Sequence, residues 1–165
     1  VTEGTCLVMV GGGEEQLSRG RDILETFSDR IYAMGENGKG AEAKLIVNLV
    51  LGLNRLVLAE GLLLSKKAGV NLDRMLEVLR VGAAYSKVMD QKGGRMIKEE
   101  FTAEARLAQH LKDVGLILDM GMKHGLKLPV SALHAQILRS GVDAGYADQD
   151  NASVIKALEQ YTEDR

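Results

Sequence analysis

The feature that most constrains this sequence is the stretch between Gly40 and Gly69, which contains no proline and carries apolar side chains on nearly every face of a helix. It predicts one long helix, roughly 45 Å at 1.5 Å rise per residue. A helix that is apolar all round is either buried in protein or crosses a membrane. Polar residues, among them Lys44, Asn48 and Arg55, interrupt the stretch too often for a lipid-exposed span. We therefore predict a buried helix, covered by this chain or by a second copy, and no membrane partner.

The residues that follow predict more helices. Gly69 fits a C-terminal cap, and Asn71 fits the N-cap of a helix that stops at Gly82. A shorter helix is predicted over 85–91, after which Gly93-Gly94 should break the chain.

Two further helices and a final one complete the predicted set. Thr102 predicts the N-cap of a helix over 103–124, and Pro129 suits the first turn of the next, to about residue 143. Asp150 or Asn151 is predicted to cap the last helix, which continues through Leu158 and Tyr161.

The start of the chain follows a different pattern. An apolar run from Thr5 to Val10 favours a buried strand, ended by glycines, and a helix is predicted over 14–27 before a second short strand over 31–34. This β-α-β segment is too small to be a domain, and its sheet edge would be open. It predicts the tail of a larger sheet, and Val1-Thr2-Glu3-Gly4 reads as an internal start.

Charge and cysteine content narrow the function classes. A net charge of -2 and a pI near 6.0 give no basic field, so no nucleic-acid partner is predicted. Cys6 is the single cysteine, which favours a reducing compartment and hence the cytoplasm. The histidines lack metal-ligand spacing, so we predict no metal site and interpret His110, His124 and His134 as surface or capping residues.

The most informative motif leads into the long helix, where Gly35, Gly38 and Gly40 precede Lys44 and Asn48. Glycines at this entry would let another backbone or a ligand come close. Lys44 and Asn48 are four residues apart and share one helical face. Burial lowers the pKa of an amine, so a partly buried lysine beside an amide could act as a general acid or base. Spacing alone favours the alternative, a solvated lysine and a surface asparagine.

This pattern, Gly-x-x-Gly-x-Gly-x-x-x-Lys-x-x-x-Asn, resembles the start of the catalytic helix of the β-hydroxyacid dehydrogenases. That family includes 3-hydroxyisobutyrate dehydrogenase, tartronate semialdehyde reductase and the glyoxylate/succinic semialdehyde reductases. The resemblance implies that Lys44 donates or accepts the proton at the substrate oxygen while hydride moves to or from a nicotinamide. It implies that Asn48 binds and orients the substrate.

The resemblance extends along most of the chain. The run from Gly4 to Gly12 is similar to the last regular strand of the family's cofactor domain, and the run from Leu111 to Leu116 resembles its Lys-Asp-Leu segment. In that segment the lysine, here Lys112, lies near the nicotinamide. The implied fold is mainly α, a multi-helix bundle around a long central helix like the C-terminal domain of 6-phosphogluconate dehydrogenase, after a short β-α remnant of a Rossmann domain. Residues 1–36 would be that remnant and 37–165 the all-α domain.

Some positions depart from the family pattern. Ala105 stands where members usually have a phenylalanine, and Leu51 stands where the 6-phosphogluconate dehydrogenases have a glutamate, which argues against decarboxylation. Lys44 argues against the imine reductases, which usually lack it. No Gly-x-Gly-x-x-Gly fingerprint precedes the helices, so NAD or NADP would be bound mostly outside this chain. The chain by itself is expected to be inactive.

The resemblance therefore predicts the C-terminal domain of an NAD(P)-dependent oxidoreductase that interconverts a small 3-hydroxyacid and its semialdehyde. This domain would supply the catalytic lysine and the subunit interface of a homo-oligomer, at least a dimer. The alternative is a non-catalytic helical dimerisation module that keeps the family scaffold. The sequence does not choose between NAD and NADP, or among hydroxyacids.

Overall fold

The computed structural model describes residues 6–163 and is mainly helical, with a two-stranded sheet near its start. This confirms the predicted fold class. The chain divides into two compact units, Val1–Val47 and Asn48–Arg165. The domain boundary after residue 36 stays a prediction. The predicted internal start at residues 1–4 and the first residue of the predicted strand, Thr5, lie outside the described residues.

The first unit contains the expected β-α-β arrangement. Strand β1 (Leu7–Val10) is followed by helix α1 (Glu14–Glu25) and strand β2 (Arg30–Ala33). The strands are parallel, with Leu7 opposite Arg30 and Val10 opposite Ala33. Helix α1 ends before residue 27, because the Thr26 hydroxyl donates to the Ile23 carbonyl oxygen at 2.6 Å and closes its last turn.

Two glycines bring the end of β1 against the start of the long helix. A Cβ atom on Gly40 would lie 2.6 Å from the Met9 carbonyl oxygen, and one on Gly11 would lie 2.9 Å from the Gly40 nitrogen. Both distances are shorter than real Cβ contacts allow, so both positions require glycine. The close approach that the glycines before the long helix predict is therefore made by the backbone at the end of β1.

The long helix α2 runs over Lys39–Lys67, as predicted. Its length and a mean hydropathy of 1.6 over its most apolar window would suit a membrane span, but core helices of soluble proteins pass the same test. Leu58, Ala59 and Leu62 are in the hydrophobic core of the second unit. Val57 and Leu64, by contrast, are 64% and 68% exposed. Part of the apolar surface of α2 is thus left uncovered by the described residues.

Helix α3 (Leu72–Val81) begins where its sequence signal placed it. The Asn71 side chain accepts from the Arg74 N–H at 2.9 Å, which confirms the predicted N-cap. The break predicted at Gly93-Gly94 is wrong, because both residues are helical, within a π-turn (Met89–Gly93) and helix α4 (Gly94–Ile97). A Cβ atom on Gly93 would lie 2.6 Å from the Leu76 side chain. Gly93 thus allows close packing against α3 and does not end a helix.

Helix α5 (Leu107–Lys123) starts later than predicted, and Thr102 is not its cap. Residues 101–105 are non-helical because the Asp150 carboxylate accepts from the backbone N–H groups of Glu104 and Ala105, at 3.0 and 3.2 Å. A contact with a residue distant in sequence thus sets the start of α5, and the local capping residue does not.

The last part of the chain completes the second unit. Helix α6 (Pro129–Gly141) has the predicted proline in its first turn and continues into a π-turn (Val142–Tyr146). Asp150 caps a 3₁₀ turn (Asn151–Ser153), accepting from Ala152 N–H at 3.0 Å, and helix α7 (Val154–Glu163) follows. The core joins apolar residues of α2, α3, α5, α6 and α7, including Leu62, Leu76, Leu107, Val114, Leu138, Val154 and Leu158.

Candidate active site and an adjoining cavity

Lys44 lies in the second turn of α2 and is exposed. It makes no hydrogen bond or ion pair with other described residues. The partial burial expected of this lysine is therefore not provided by residues 6–163. Its ammonium is accessible for a reaction partner, and Asn48 follows it one helical turn later.

Asn48 is half-buried and held by a contact between helices. Its Nδ2 donates to Asp113 Oδ2 on α5 at 3.3 Å, while Gln109 Nε2 donates to Asp113 Oδ1 at 3.2 Å. An asparagine on a free surface would lack such a partner. Sequence reasoning singled out Asn48 but missed Asp113, although Asp113 directly follows Lys112 in the Lys-Asp segment.

Lys112 is exposed on α5. The neighbouring Asp113 carboxylate does not pair with it, because that carboxylate accepts from Asn48 and Gln109. Lys112 makes no hydrogen bond or ion pair within the described part of the chain. Its charge is therefore available to a ligand.

A cavity of about 170 Å³ lies next to Asn48, within the second unit. Both departures from the family pattern, Ala105 and Leu51, line it, and the small Ala105 side chain leaves room where a phenylalanine would add bulk. The other residues on its wall are Asn48, Arg55, Arg106, Gln109, His110, Asp113 and Asn151.

Arg55 is the most unusual residue on this wall. It is only 4% exposed, and its Nε and Nη1 atoms are buried without a hydrogen-bond partner. Burial lowers the pKa of Arg55 to about 10, although the negative charge of Asp150 opposes the shift. The guanidinium is therefore still charged at neutral pH. No acidic side chain among residues 6–163 forms an ion pair with it.

Two histidines lie close to Arg55, and the interpretation of both as surface or capping residues is wrong. His110 and His134 are 7% and 2% exposed, their ring centroids are 5.1 Å apart, and the Nε2 atom of each lacks a partner. Burial, followed by the Arg55 charge, lowers the pKa of His110 to about 3 and of His134 to about 4. Both rings are neutral at pH 7.

A signal for this burial was present in the sequence. His110 follows Leu107 by three residues and precedes Val114 and Ile117, which all share the buried face of α5. A glycine in α2 makes room for the rings, since a Cβ atom on Gly52 would lie 2.5 Å from His110 Nε2. Among the described residues, no group of His, Cys, Asp and Glu side chains could hold a metal ion.

Residues 38–158 match the protein-family profile described as the NAD-binding domain of NADP-dependent 3-hydroxyisobutyrate dehydrogenase. The chain is 32% identical over 160 residues to 2-(hydroxymethyl)glutarate dehydrogenase of Eubacterium barkeri, covering 96% of this chain and 53% of that protein. It is 32% identical over 157 residues to 2-hydroxy-3-oxopropionate reductase of Escherichia coli K12, covering 95% and 54%. The chain thus spans about half the length of the curated relatives it matches.

Solved structures have the same fold. The 3-hydroxyisobutyrate dehydrogenase of Salmonella typhimurium matches with a TM-score of 0.87 at 26% identity, covering 93% of this chain and 54% of that one. The Mycobacterium tuberculosis enzyme of the same name matches with a TM-score of 0.81 at 27% identity, covering 91% and 54%. With the profile match extending over most of its length, this chain belongs to the 3-hydroxyisobutyrate dehydrogenase family of NAD(P)-dependent oxidoreductases.

Proposed function

We propose that the chain is the C-terminal part of an NAD(P)-dependent oxidoreductase that interconverts a small 3-hydroxyacid and its semialdehyde. Family membership supports the reaction class, since relatives are named for the oxidation of hydroxyacids or the reduction of semialdehydes and related oxo acids. The observation that carries the proposal is the fixed amide of Asn48, one helical turn after the accessible Lys44. Residues 1–36 would belong to the cofactor domain and 37–165 to the helical domain, in a cytoplasmic enzyme.

Lys44 is the general acid and base of this proposal. In reduction its ammonium donates a proton to the carbonyl oxygen, and in oxidation its neutral amine accepts the hydroxyl proton. The nicotinamide, when bound, would supply the hydride to, or take it from, the carbon that bears this oxygen. Asn48 uses one N–H for Asp113, so its second N–H and its carbonyl oxygen are left to orient the substrate.

Lys112 is the residue of this chain that we assign to the cofactor. It is exposed, and its ammonium is not engaged by the described residues. A positive charge there suits NAD or NADP, which carry phosphate groups. The Gly-x-Gly-x-x-Gly turn that binds a dinucleotide pyrophosphate does not occur in this sequence, so Lys112 would add to a site formed mostly elsewhere.

Replacement of Lys44 tests the proposal in the full-length protein that contains this chain. Lys44→Ala should lower kcat for semialdehyde reduction roughly 100- to 10,000-fold, the range of general acid-base catalysis. The assay follows NADH or NADPH oxidation with small semialdehydes. Lys67→Ala is the matched control, because it removes another exposed lysine from α2, and it should change kcat less than about twofold. Turnover of Lys44→Ala within about threefold of the parent would refute the catalytic role.

The exposed apolar residues of α2, Val57 and Leu64, favour a second candidate function, that of a helical dimerisation module. Such a surface also suits the subunit interface of a homo-oligomeric enzyme. Light scattering on the Lys44→Ala protein separates the two. If the Lys44→Ala variant loses turnover but keeps the molar mass of the parent assembly, the enzyme is supported. If the parent protein assembles but turns over no semialdehyde, the dimerisation module is supported.

A further inference from the structure

Arg55 occupies a position that folding alone does not explain. A charged guanidinium removed from water is costly unless hydrogen bonds and a counter-charge replace its hydration. Arg55 is almost fully buried, yet two of its nitrogen atoms have no partner. It also lines the cavity beside Asn48. A negatively charged group in that cavity would supply what the described residues do not.

The other groups on the wall define the charge of this cavity. His110 is neutral and contributes an unpartnered Nε2, and Asn151 contributes an unpartnered Oδ1. Arg106 also lines the cavity, but its side chain is 67% exposed and pairs with Asp148. Asp113 is an acidic group on the wall, and it is already bonded to Asn48 and Gln109. Apart from the exposed pair of Arg106 and Asp148, the charges at this wall are therefore one positive and buried, on Arg55, and one negative and half-buried, on Asp113.

We propose that this cavity binds a carboxylate group, with Arg55 as its charged partner. A carboxylate binds a guanidinium through two parallel N–H groups, as on the Nε–Nη2 or the Nη1–Nη2 edge, and each of these edges of Arg55 contains one nitrogen without a partner. A carboxylate carries one negative charge, which balances Arg55 and limits repulsion from Asp113. A phosphate dianion would add an unbalanced charge beside that residue. The volume of about 170 Å³ holds only a few heavy atoms, since it corresponds to about six waters at their share of liquid volume.

The position of the cavity indicates which carboxylate it binds. Asn48 and Arg55 are both on α2 and both line the cavity. Their seven-residue separation places their Cα atoms roughly 10 Å apart along the helix axis. A substrate whose reacting carbon lies beside Asn48 could extend a second carboxylate towards Arg55. The substrate class is then a dicarboxylic 3-hydroxyacid or its semialdehyde, a specification that rests on the proposed function.

Calorimetry with glutarate tests the binding site without any reaction. In the full-length protein, Arg55→Met should weaken glutarate binding at least tenfold. Arg55→Lys keeps the positive charge but loses the paired N–H groups of the guanidinium, so it should weaken binding less. Arg74→Met is the matched control, because Arg74 is an exposed arginine of the same unit paired with Glu77, and it should leave the Kd within twofold. Circular dichroism establishes that each variant is folded.

Two results would overturn the carboxylate site. One is a glutarate Kd that stays within twofold in the folded Arg55→Met protein. The other is inorganic phosphate binding as tightly as glutarate and with the same dependence on Arg55, which would indicate a general anion site.

Steady-state kinetics tests the substrate class separately. Arg55→Met should raise the KM for a dicarboxylic semialdehyde at least tenfold more than the KM for a monocarboxylic one. Equal effects on both KM values would refute the proposal that Arg55 binds a second carboxylate of the substrate. A parent protein that reduces no semialdehyde would refute the proposed function, while the calorimetric result on Arg55 would still stand. Turnover without Arg55-dependent glutarate binding would refute the site and leave the function.

Discussion

The second unit contains two polar clusters with buried side chains, and the two differ in whether those buried polar groups have partners. In the paired cluster (Lys92, Glu104 and Asp150), the fully buried Asp150 carboxylate accepts from Lys92 Nζ at 3.0 and 3.1 Å and from three backbone N–H groups. In the unpaired cluster (Arg55, His110 and His134), each side chain has at least one buried nitrogen without a partner.

The pKa shifts show which effect dominates in each cluster. Burial alone would raise the pKa of Asp150, but hydrogen bonds from Ala152 N–H, from Lys92 and from the backbone N–H groups of Glu104 and Ala105 outweigh it and lower that pKa. Burial is not offset at His110 and His134, so their pKa values fall and the rings stay neutral. The first cluster is explained by its contribution to folding. The second is not, and this difference is the reason for assigning it to binding.

Among the substitutions in these two clusters, removal of the Asp150 carboxylate should cause the largest loss of stability. Asp150→Ala leaves the Lys92 ammonium buried with only the exposed Glu104 carboxylate, and it frees three backbone N–H groups. We expect the free energy of unfolding to fall by about 3–5 kcal/mol. Urea denaturation measures the change. Asp148→Ala, at an 87% exposed carboxylate, should cost at most about 1 kcal/mol. Equal losses in the two variants would contradict the special role of the paired cluster.

A methyl group placed at Gly52 should disturb the unpaired cluster by steric overlap. Gly52→Ala would bring Cβ within 2.5 Å of His110 Nε2, and we expect it to lower the free energy of unfolding by about 1–3 kcal/mol. Gly61→Ala is the control on the same helix, where a Cβ atom meets nothing within 4 Å. It should stabilise the protein by about 0.5–1 kcal/mol because glycine is a poor helix former. Thermal unfolding of both variants gives the sign, and a stabilising Gly52→Ala would show that the rings are free to move.

Replacement of Arg55 gives the smallest expected change in stability, but its sign is the most informative. Arg55→Met removes a buried charge that has no partner and keeps much of the side-chain volume, so the free energy of unfolding should rise by about 1 kcal/mol. Lys92→Met, the same kind of change in the paired cluster, should lower it because the Asp150 carboxylate loses the ammonium that donates to both of its oxygens. Both are measured by urea denaturation without added carboxylates. A destabilising Arg55→Met would mean that Arg55 has partners within the folded chain.

Local signals predicted the elements that depend on neighbouring residues. The Asn71 cap, the proline in the first turn of α6 and the uninterrupted α2 all follow from short-range chemistry. The errors arise where a distant contact overrides it. Gly93 stays within the helical turn and leaves room there for Leu76, and Thr102 is not a cap because Asp150 binds the backbone after it.

The same limit applies to the candidate site. Spacing placed Lys44 and Asn48 on one helical face, but the resemblance to the β-hydroxyacid dehydrogenases selected them, and their roles stay predictions. Asp113 and Arg55 acquire their significance only when α2 and α5 come together, and 65 residues separate Asn48 from Asp113. Charge and helical periodicity identify a residue on a buried face, but they do not identify its partner across a cavity.

The backbone contact between Gly11 and Gly40 also limits how this protein can be divided by design. Neither glycine can gain a side chain without striking the backbone of the other segment, since a Cβ atom on Gly40 would also lie 2.8 Å from the Gly11 nitrogen. The first turn of α2 therefore cannot be grafted onto another scaffold as an independent module. A chimera that imports this helix with Lys44 must also import the end of β1, or supply a glycine of its own at the same point of contact.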